Sequence, residues 1–85
     1  MIKPTIGRVV WYWPKNYPGD QQFAAIVCYV WSDELVNLSV FDSNGNQFGL
    51  ASVKLYQGEG EKPTEDFAEW MPYQVGQAKA AISAV

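Results

Sequence analysis

The sequence predicts a small all-β fold, either a strongly bent antiparallel sheet or an SH3-like barrel of four to five strands. Two β-patterned runs, residues 35–41 and 47–56, are joined through Asn44-Gly45. Asn-Gly is the strongest short-range hairpin signal, because both central residues of a type I′ turn need positive φ. The 85 residues make a single domain, residues 1–85. A content of 48% hydrophobic and 15% aromatic residues excludes a disordered chain.

The first predicted strand covers residues 5–13. Arg8 lies on one face of this strand, among apolar neighbours. Trp11 and Trp13 are two residues apart, so they share the other face. Residues 14–20 hold two prolines and one glycine, which is typical of a loop leading to the next strand.

The second predicted strand covers residues 22–31, which are nearly all apolar. If the strand alternates strictly, its small side chains share one face and its larger ones share the other. The face with the larger side chains holds Phe23, Ala25, Val27, Tyr29 and Trp31. Cys28 falls on the opposite face and is interpreted as a small buried hydrophobe. Ser32-Asp33 is predicted to form a tight turn.

The third and fourth predicted strands are the two arms of the hairpin. In residues 35–41 the aliphatic side chains at the even positions are predicted to face the core. Asn37, which lies between them, is predicted to face outward or to line a groove. In residues 47–56, Gly49 indicates a bulge or a close approach of the backbone.

The remainder of the chain is predicted to close the domain. Residues 57–66 form an acidic loop with two glycines and one proline, and residues 67–71 form a short fifth strand or a 3₁₀ turn that ends before Pro72. Residues 74–85 are an Ala-rich tail, for which we expect a short packed helix or a frayed end.

Charge and apolar patterning restrict the classes of partner. The formal net charge of −3 argues against a protein that binds a nucleic-acid backbone, although a pocket for one nucleotide remains compatible with it. No apolar run approaches the roughly 20 residues of a membrane span, and the first residues lack the apolar region of a signal peptide. Cys28 is the only cysteine, which fits a reducing cytoplasm.

The residues that usually carry catalysis are missing from the sequence. It has no histidine, no cluster at zinc-ligand spacing and no glycine-rich phosphate loop before a helix. The carboxylates near the third strand and in the acidic loop are typical of solvated turns. We therefore expect no enzyme, no cofactor and no metal site.

The surplus of aromatic residues makes ligand binding the leading functional hypothesis. Thirteen aromatic side chains are difficult to bury in one small barrel, so some should line a groove or an interface. The candidate stacking residues are Trp11, Trp13, Trp31 and Trp70, and the candidate polar contacts are Arg8, Ser32, Asp33 and Asn37. The alternative for the tryptophans is a place in the core or in a subunit interface, and Arg8 can pair with a ligand phosphate or with a carboxylate of the protein.

Several segments resemble a family of small, mostly uncharacterised proteins encoded by tailed bacteriophages and prophages. Together these segments span most of the chain, and none of them is a catalytic motif. The segments are Lys3-Pro-Thr-Ile-Gly-Arg-Val-Val10, Ala24-Ala-Ile-Val27, Ser32-Asp33, Val36-Asn-Leu-Ser-Val-Phe-Asp42 with Asn44-Gly45, Ser52-Val53 and Glu69-Trp-Met-Pro-Tyr-Gln74. Members of this family often have another aromatic residue or a histidine near the positions of Trp11 and Trp31, where this chain has tryptophan.

The resemblance implies a phage protein that is expressed in the cytoplasm of a bacterial host. It favours a non-enzymatic anti-defence protein that sequesters a nucleotide-type immune signal of the host. The alternative is a protein–protein interaction module, either an inhibitor of a host enzyme or a minor component of the virion. A homo-oligomer is expected in general for so small a chain.

Overall fold

The computed structural model describes residues 1–15 and 21–83 and forms a closed five-stranded barrel followed by one helix. The elements are β1 Val9–Trp13, β2 Phe23–Ser32, β3 Leu35–Phe41, β4 Gln47–Tyr56, β5 Phe67–Glu69 and α1 Pro72–Ser83. The predicted small SH3-like barrel with a short C-terminal helix is therefore confirmed. Residues 16–20 of the predicted loop and residues 84–85 of the tail lie outside the described residues.

The strands follow one another around the barrel in chain order, and β5 returns to pair with β1. Four of the pairings are antiparallel, whereas β4 and β5 are parallel. The barrel is therefore mixed, with the predicted antiparallel pairing in all pairs except β4–β5. Residues 57–66 bring the chain back beside Lys54, so β5 runs in the same direction as the last three residues of β4 and pairs with them.

The core lies inside the barrel and consists mainly of the alternate side chains of each strand. The three aliphatic residues of β3 point inward as predicted, and Val10, Tyr12 and Leu55 pack with them. Tyr12 sits at the edge of the core and donates its hydroxyl to Asp66 Oδ2 over 2.7 Å. Burial, together with the neighbouring carboxylate, raises the pKa of the Tyr12 hydroxyl. The core therefore tolerates this hydroxyl because Asp66 accepts its hydrogen bond.

Two bulges in β2 change which side chains are exposed. Cys28 and Trp31 are extra residues relative to β3, because the register shifts at each of them. Tyr29 and Trp31 consequently lie on the exposed side, whereas strict alternation predicted that they share a face with the buried Val27. Val30 instead packs against the core. The prediction of a buried Cys28 is also wrong, since this thiol is exposed.

The bulge predicted at Gly49 occurs further along β4. Gly49 pairs in register with Ser39, and the register shifts only between the pairs Val36–Val53 and Leu38–Leu50. The extra residue in this segment brings Ser52 to a positive φ of 56°. A β-bulge therefore stands opposite Asn37, the residue of β3 between the two pairs.

The hairpin turn between β3 and β4 is held by Asp42. Its Oδ1 accepts hydrogen bonds from the backbone N–H groups of Asn44 and Asn46, both over 2.9 Å. These bonds lower the pKa of the Asp42 carboxyl, with the bond from Asn46 as the largest cause. Of Asn44 and Gly45 only Gly45 has positive φ, so the turn is not the predicted type I′.

The helix α1 begins at Pro72, which suits the first position of a helix because proline has no N–H to leave unpaired. Gln74 accepts a hydrogen bond from the Met71 N–H over 2.8 Å, which caps the helix start. Gln74 also donates to the Val9 carbonyl over 3.0 Å and is buried. One side chain therefore both starts the helix and ties it to β1.

Candidate functional site

The eight candidate site residues lie in three different parts of the barrel. Trp70 and Arg8 lie together at one end of the core, and Trp31, Ser32, Asp33 and Asn37 surround the connection from β2 to β3. Trp11 and Trp13 lie half-buried on the outer side of β1. The candidates therefore do not converge on one pocket.

Trp70 is buried in the core and is hydrogen-bonded within the chain. Its side chain is 5% exposed, and its indole N–H donates to Gln57 Oε1 over 3.1 Å. The Arg8 guanidinium lies 5.2 Å from the Trp70 ring centroid, in cation–π contact. Gln57 also bonds the backbone N–H and carbonyl of Ile2 and the carbonyl of Asp33. Trp70 is thus fixed in a network that joins the N-terminal segment to the barrel.

The polar candidates near Trp31 are occupied in local hydrogen bonds. Asn37 Oδ1 accepts from the Trp31 indole N–H over 2.9 Å and from the Ser52 N–H over 2.8 Å. Ser32 Oγ accepts from the Glu34 N–H over 3.2 Å. These bonds hold the bulges and the turn in place, and they leave the Trp31 ring itself 57% exposed.

An exposed apolar surface runs along the outer side of β2 and is called the aromatic face here. Tyr29 and Trp31 form its centre, in an edge-to-face contact with 4.8 Å between ring centroids. The other exposed members are Val9, Ala24, Ile26 and Cys28. Val9 pairs with Ile26 across β1 and β2, so the face extends over both strands.

A cavity of about 330 Å³ lies beside Trp13 and is called the Trp13 cavity here. Its walls combine aromatic and proline rings with two lysines. The lining residues are Trp13, Pro14, Lys15, Lys62, Pro63, Thr64, Glu65 and Phe67. The indole N–H of Trp13 donates to Glu69 Oε1 over 2.7 Å, which fixes the orientation of the ring. Sequence reasoning identified Trp13 but missed Phe67 and Lys62, which the barrel closure brings beside it.

The two lysines of the Trp13 cavity are exposed, and each forms an ion pair with a glutamate. Lys15 Nζ lies 2.8 Å from Glu65 Oε2, and this contact raises the pKa of the Lys15 ammonium group. Lys62 Nζ lies 3.8 Å from Glu69 Oε2. The Lys15–Glu65 pair is exposed on both sides and contributes little to stability, so an anionic ligand can compete with Glu65 for Lys15. Lys62 lies at the long distance of 3.8 Å from its glutamate, so its ammonium group can also turn toward a ligand.

A second cavity, of about 480 Å³, lies on the other side of the acidic loop and is called the acidic cavity here. Three glutamates line it, Glu34, Glu59 and Glu61, and Lys54 is the one basic side chain among its lining residues. Ser32 also reaches this cavity. The excess of carboxylates disfavours an anionic ligand here, in contrast to the Trp13 cavity.

Among residues 1–15 and 21–83, no three histidine, cysteine or carboxylate side chains are grouped as metal ligands are. Within the same ranges, no helix has the length and apolar character to cross a membrane. No family model, curated protein or solved structure matches the chain.

Proposed function

We propose that the chain is a phage-encoded, non-enzymatic binding protein that sequesters a nucleotide-type signal in the cytoplasm of its bacterial host. The observation that carries this proposal is the Trp13 cavity, where aromatic walls and two ammonium groups meet in one concave site. The resemblance to small phage proteins supplies the biological setting. The candidate stacking set is thereby reduced from four tryptophans to Trp13, with Phe67 added.

The chemistry of the Trp13 cavity suits a planar ring that carries a phosphate. Stacking of a base on an aromatic side chain contributes roughly 1–3 kcal/mol and tolerates different bases. Lys15 and Lys62 supply the positive charge for the phosphate. The volume of about 330 Å³ lies near the lower end of small-molecule pockets, which favours a compact ligand.

A protein–protein interaction module is the second candidate function, and the aromatic face favours it. Exposed apolar patches of this kind usually mark contact sites with proteins. The partner in this alternative is a host enzyme or a virion protein that docks on Tyr29 and Trp31. A second copy of the chain accounts for the same surface, as argued in the next subsection.

The proposed function is tested by isothermal titration calorimetry with a nucleotide panel. The panel contains cyclic mononucleotides, cyclic dinucleotides and adenosine-diphosphate-ribose derivatives. We expect at least one of them to bind the wild-type protein, and Trp13→Ala to weaken that binding by roughly 1–3 kcal/mol through loss of stacking. The matched control is Trp31→Ala, which removes an exposed indole outside the cavity.

The control variant decides between specific and unspecific binding. Retained affinity in Trp31→Ala together with weakened affinity in Trp13→Ala supports the Trp13 cavity as the site. Equal affinity in both variants contradicts that assignment. The absence of heat with every member of the panel contradicts the proposed function itself, and the interaction-module alternative then takes its place.

A further inference from the structure

We infer that the aromatic face is covered by a second copy of this chain, so that the protein forms a two-fold symmetric dimer. This inference does not rest on the proposed function, because the aromatic face and the Trp13 cavity share no lining residue. It rests on the charge, the hydrogen bonding and the area of the face.

The aromatic face and the strands beside it carry no formal charge. Residues 23–32, 35–41 and 47–53 contain no lysine, arginine, aspartate or glutamate, and Lys54 is the first charge reached along β4. Each copy has a formal net charge of −3, so two copies that met through acidic surfaces would repel. An uncharged face allows the same surface of both copies to meet without like-charge contacts, as a two-fold interface requires.

Several polar groups on this side of the sheet are already paired within the chain. Gln47 Nε2 donates to Ser39 Oγ over 2.8 Å, and Asn37 accepts from the Trp31 indole and the Ser52 N–H. Covering these bonded atoms therefore does not leave them without hydrogen-bond partners. The desolvation cost that these atoms add to an interface is thus small.

The area of the face is suited to the centre of a dimer interface. Trp31, Tyr29, Val9 and Ile26 are all exposed, and together they present roughly 400 Å² of mainly apolar surface, judged from the size of such side chains. A stable interface buries about 800 Å² per partner, with an apolar centre and a polar rim. Ala24, Cys28 and Ala51 are small exposed neighbours that let a flat partner approach. An 85-residue chain also gains from the additional burial.

The test measures subunit number by sedimentation equilibrium in wild type and two matched variants. Tyr29→Glu places a charge at the centre of the face, and Tyr73→Glu places one at an equally exposed tyrosine on α1. We expect wild type and Tyr73→Glu to be dimers with twice the 9.5 kDa mass of one chain. Tyr29→Glu should raise the dimer dissociation constant roughly thirtyfold or more, as loss of an aromatic hot spot does.

A second measurement uses the native thiol and does not require a variant. Cys28 lies within the face, so its alkylation by iodoacetamide should slow as protein concentration rises and dimers form. A monomeric wild-type protein well above micromolar concentration overturns the inference, including the case in which a host protein is found on the face. A dimer that persists unchanged in Tyr29→Glu also overturns it. Ligand binding in the calorimetric test is unaffected by either result, so the two proposals fail separately.

Discussion

Trp70 and Trp31 are the same residue type in opposite environments. Each indole N–H is satisfied by a side-chain amide, Gln57 for Trp70 and Asn37 for Trp31. The ring of Trp70 is nevertheless enclosed in the core, whereas the ring of Trp31 is open to solvent. The hydrogen bonds to these amides therefore hold both rings in place, but of the two rings only that of Trp31 is free to contact a partner. Exposure separates Trp70, which packs in the core, from Trp31, which we propose lies in a dimer interface.

The largest expected effect comes from truncating the buried ring. Trp70→Ala should lower the free energy of unfolding by about 3–5 kcal/mol, because it leaves a cavity in a small core. Urea denaturation monitored by circular dichroism measures this loss. The matched variant Trp31→Ala should cost less than about 1 kcal/mol, since its ring is exposed. Similar losses in both variants would remove the distinction between the two environments.

An intermediate effect is expected at the amide that holds the exposed ring. Asn37→Ala removes the side-chain oxygen that accepts from the N–H of Ser52, a residue with positive φ. It also removes the acceptor of the Trp31 indole N–H. We expect a loss of about 1–3 kcal/mol in the free energy of unfolding. Asn37→Asp keeps an acceptor oxygen and should recover much of that loss. Equal denaturation curves for Asn37→Ala and wild type would show that the two hydrogen bonds accepted by Asn37 contribute nothing to stability.

The smallest effect is expected at a polar contact on the surface, the Asp42 turn. The folded state lowers the pKa of the Asp42 carboxyl, so its contribution to stability is present above the ordinary carboxyl pKa. That contribution is lost as the pH falls through the lowered folded-state pKa. Asp42→Asn should therefore be less stable than wild type at neutral pH, with the difference disappearing in acid. Thermal melts across pH measure it, and a difference that persists or grows in acid would contradict this linkage.

The sequence was sufficient to predict the strands in which apolar and polar residues alternate regularly. The bounds predicted for the third and fourth strands match β3 and β4, because alternation and turn residues agree there. The bulges at Cys28 and Trp31 were not predictable, since neither position has a glycine that would indicate a bulge. One shift of the alternation was enough to move Tyr29 and Trp31 from an assumed buried face to an exposed one.

The candidate site depended even more on long-range contacts. Trp13 was identified from its spacing to Trp11, but Phe67 and Lys62 reach it only because β5 returns to β1. The burial of Trp70 likewise depends on Gln57, thirteen residues earlier in the chain. Composition indicated that the aromatic residues exceed what a small core needs, and only the closed barrel separates those that pack from those that stay exposed.

The most direct measurement of the proposed division among the tryptophans is native mass spectrometry of four single Trp→Phe variants with the nucleotide panel. One spectrum reports the subunit number and any retained ligand, and a denatured sample gives the mass of the bare chain. We expect a ligand-bearing dimer for Trp11→Phe and Trp70→Phe, reduced ligand for Trp13→Phe, and a weakened dimer for Trp31→Phe. Loss of ligand and dimer together in every variant, or ligand loss in Trp31→Phe with retention in Trp13→Phe, would contradict the division.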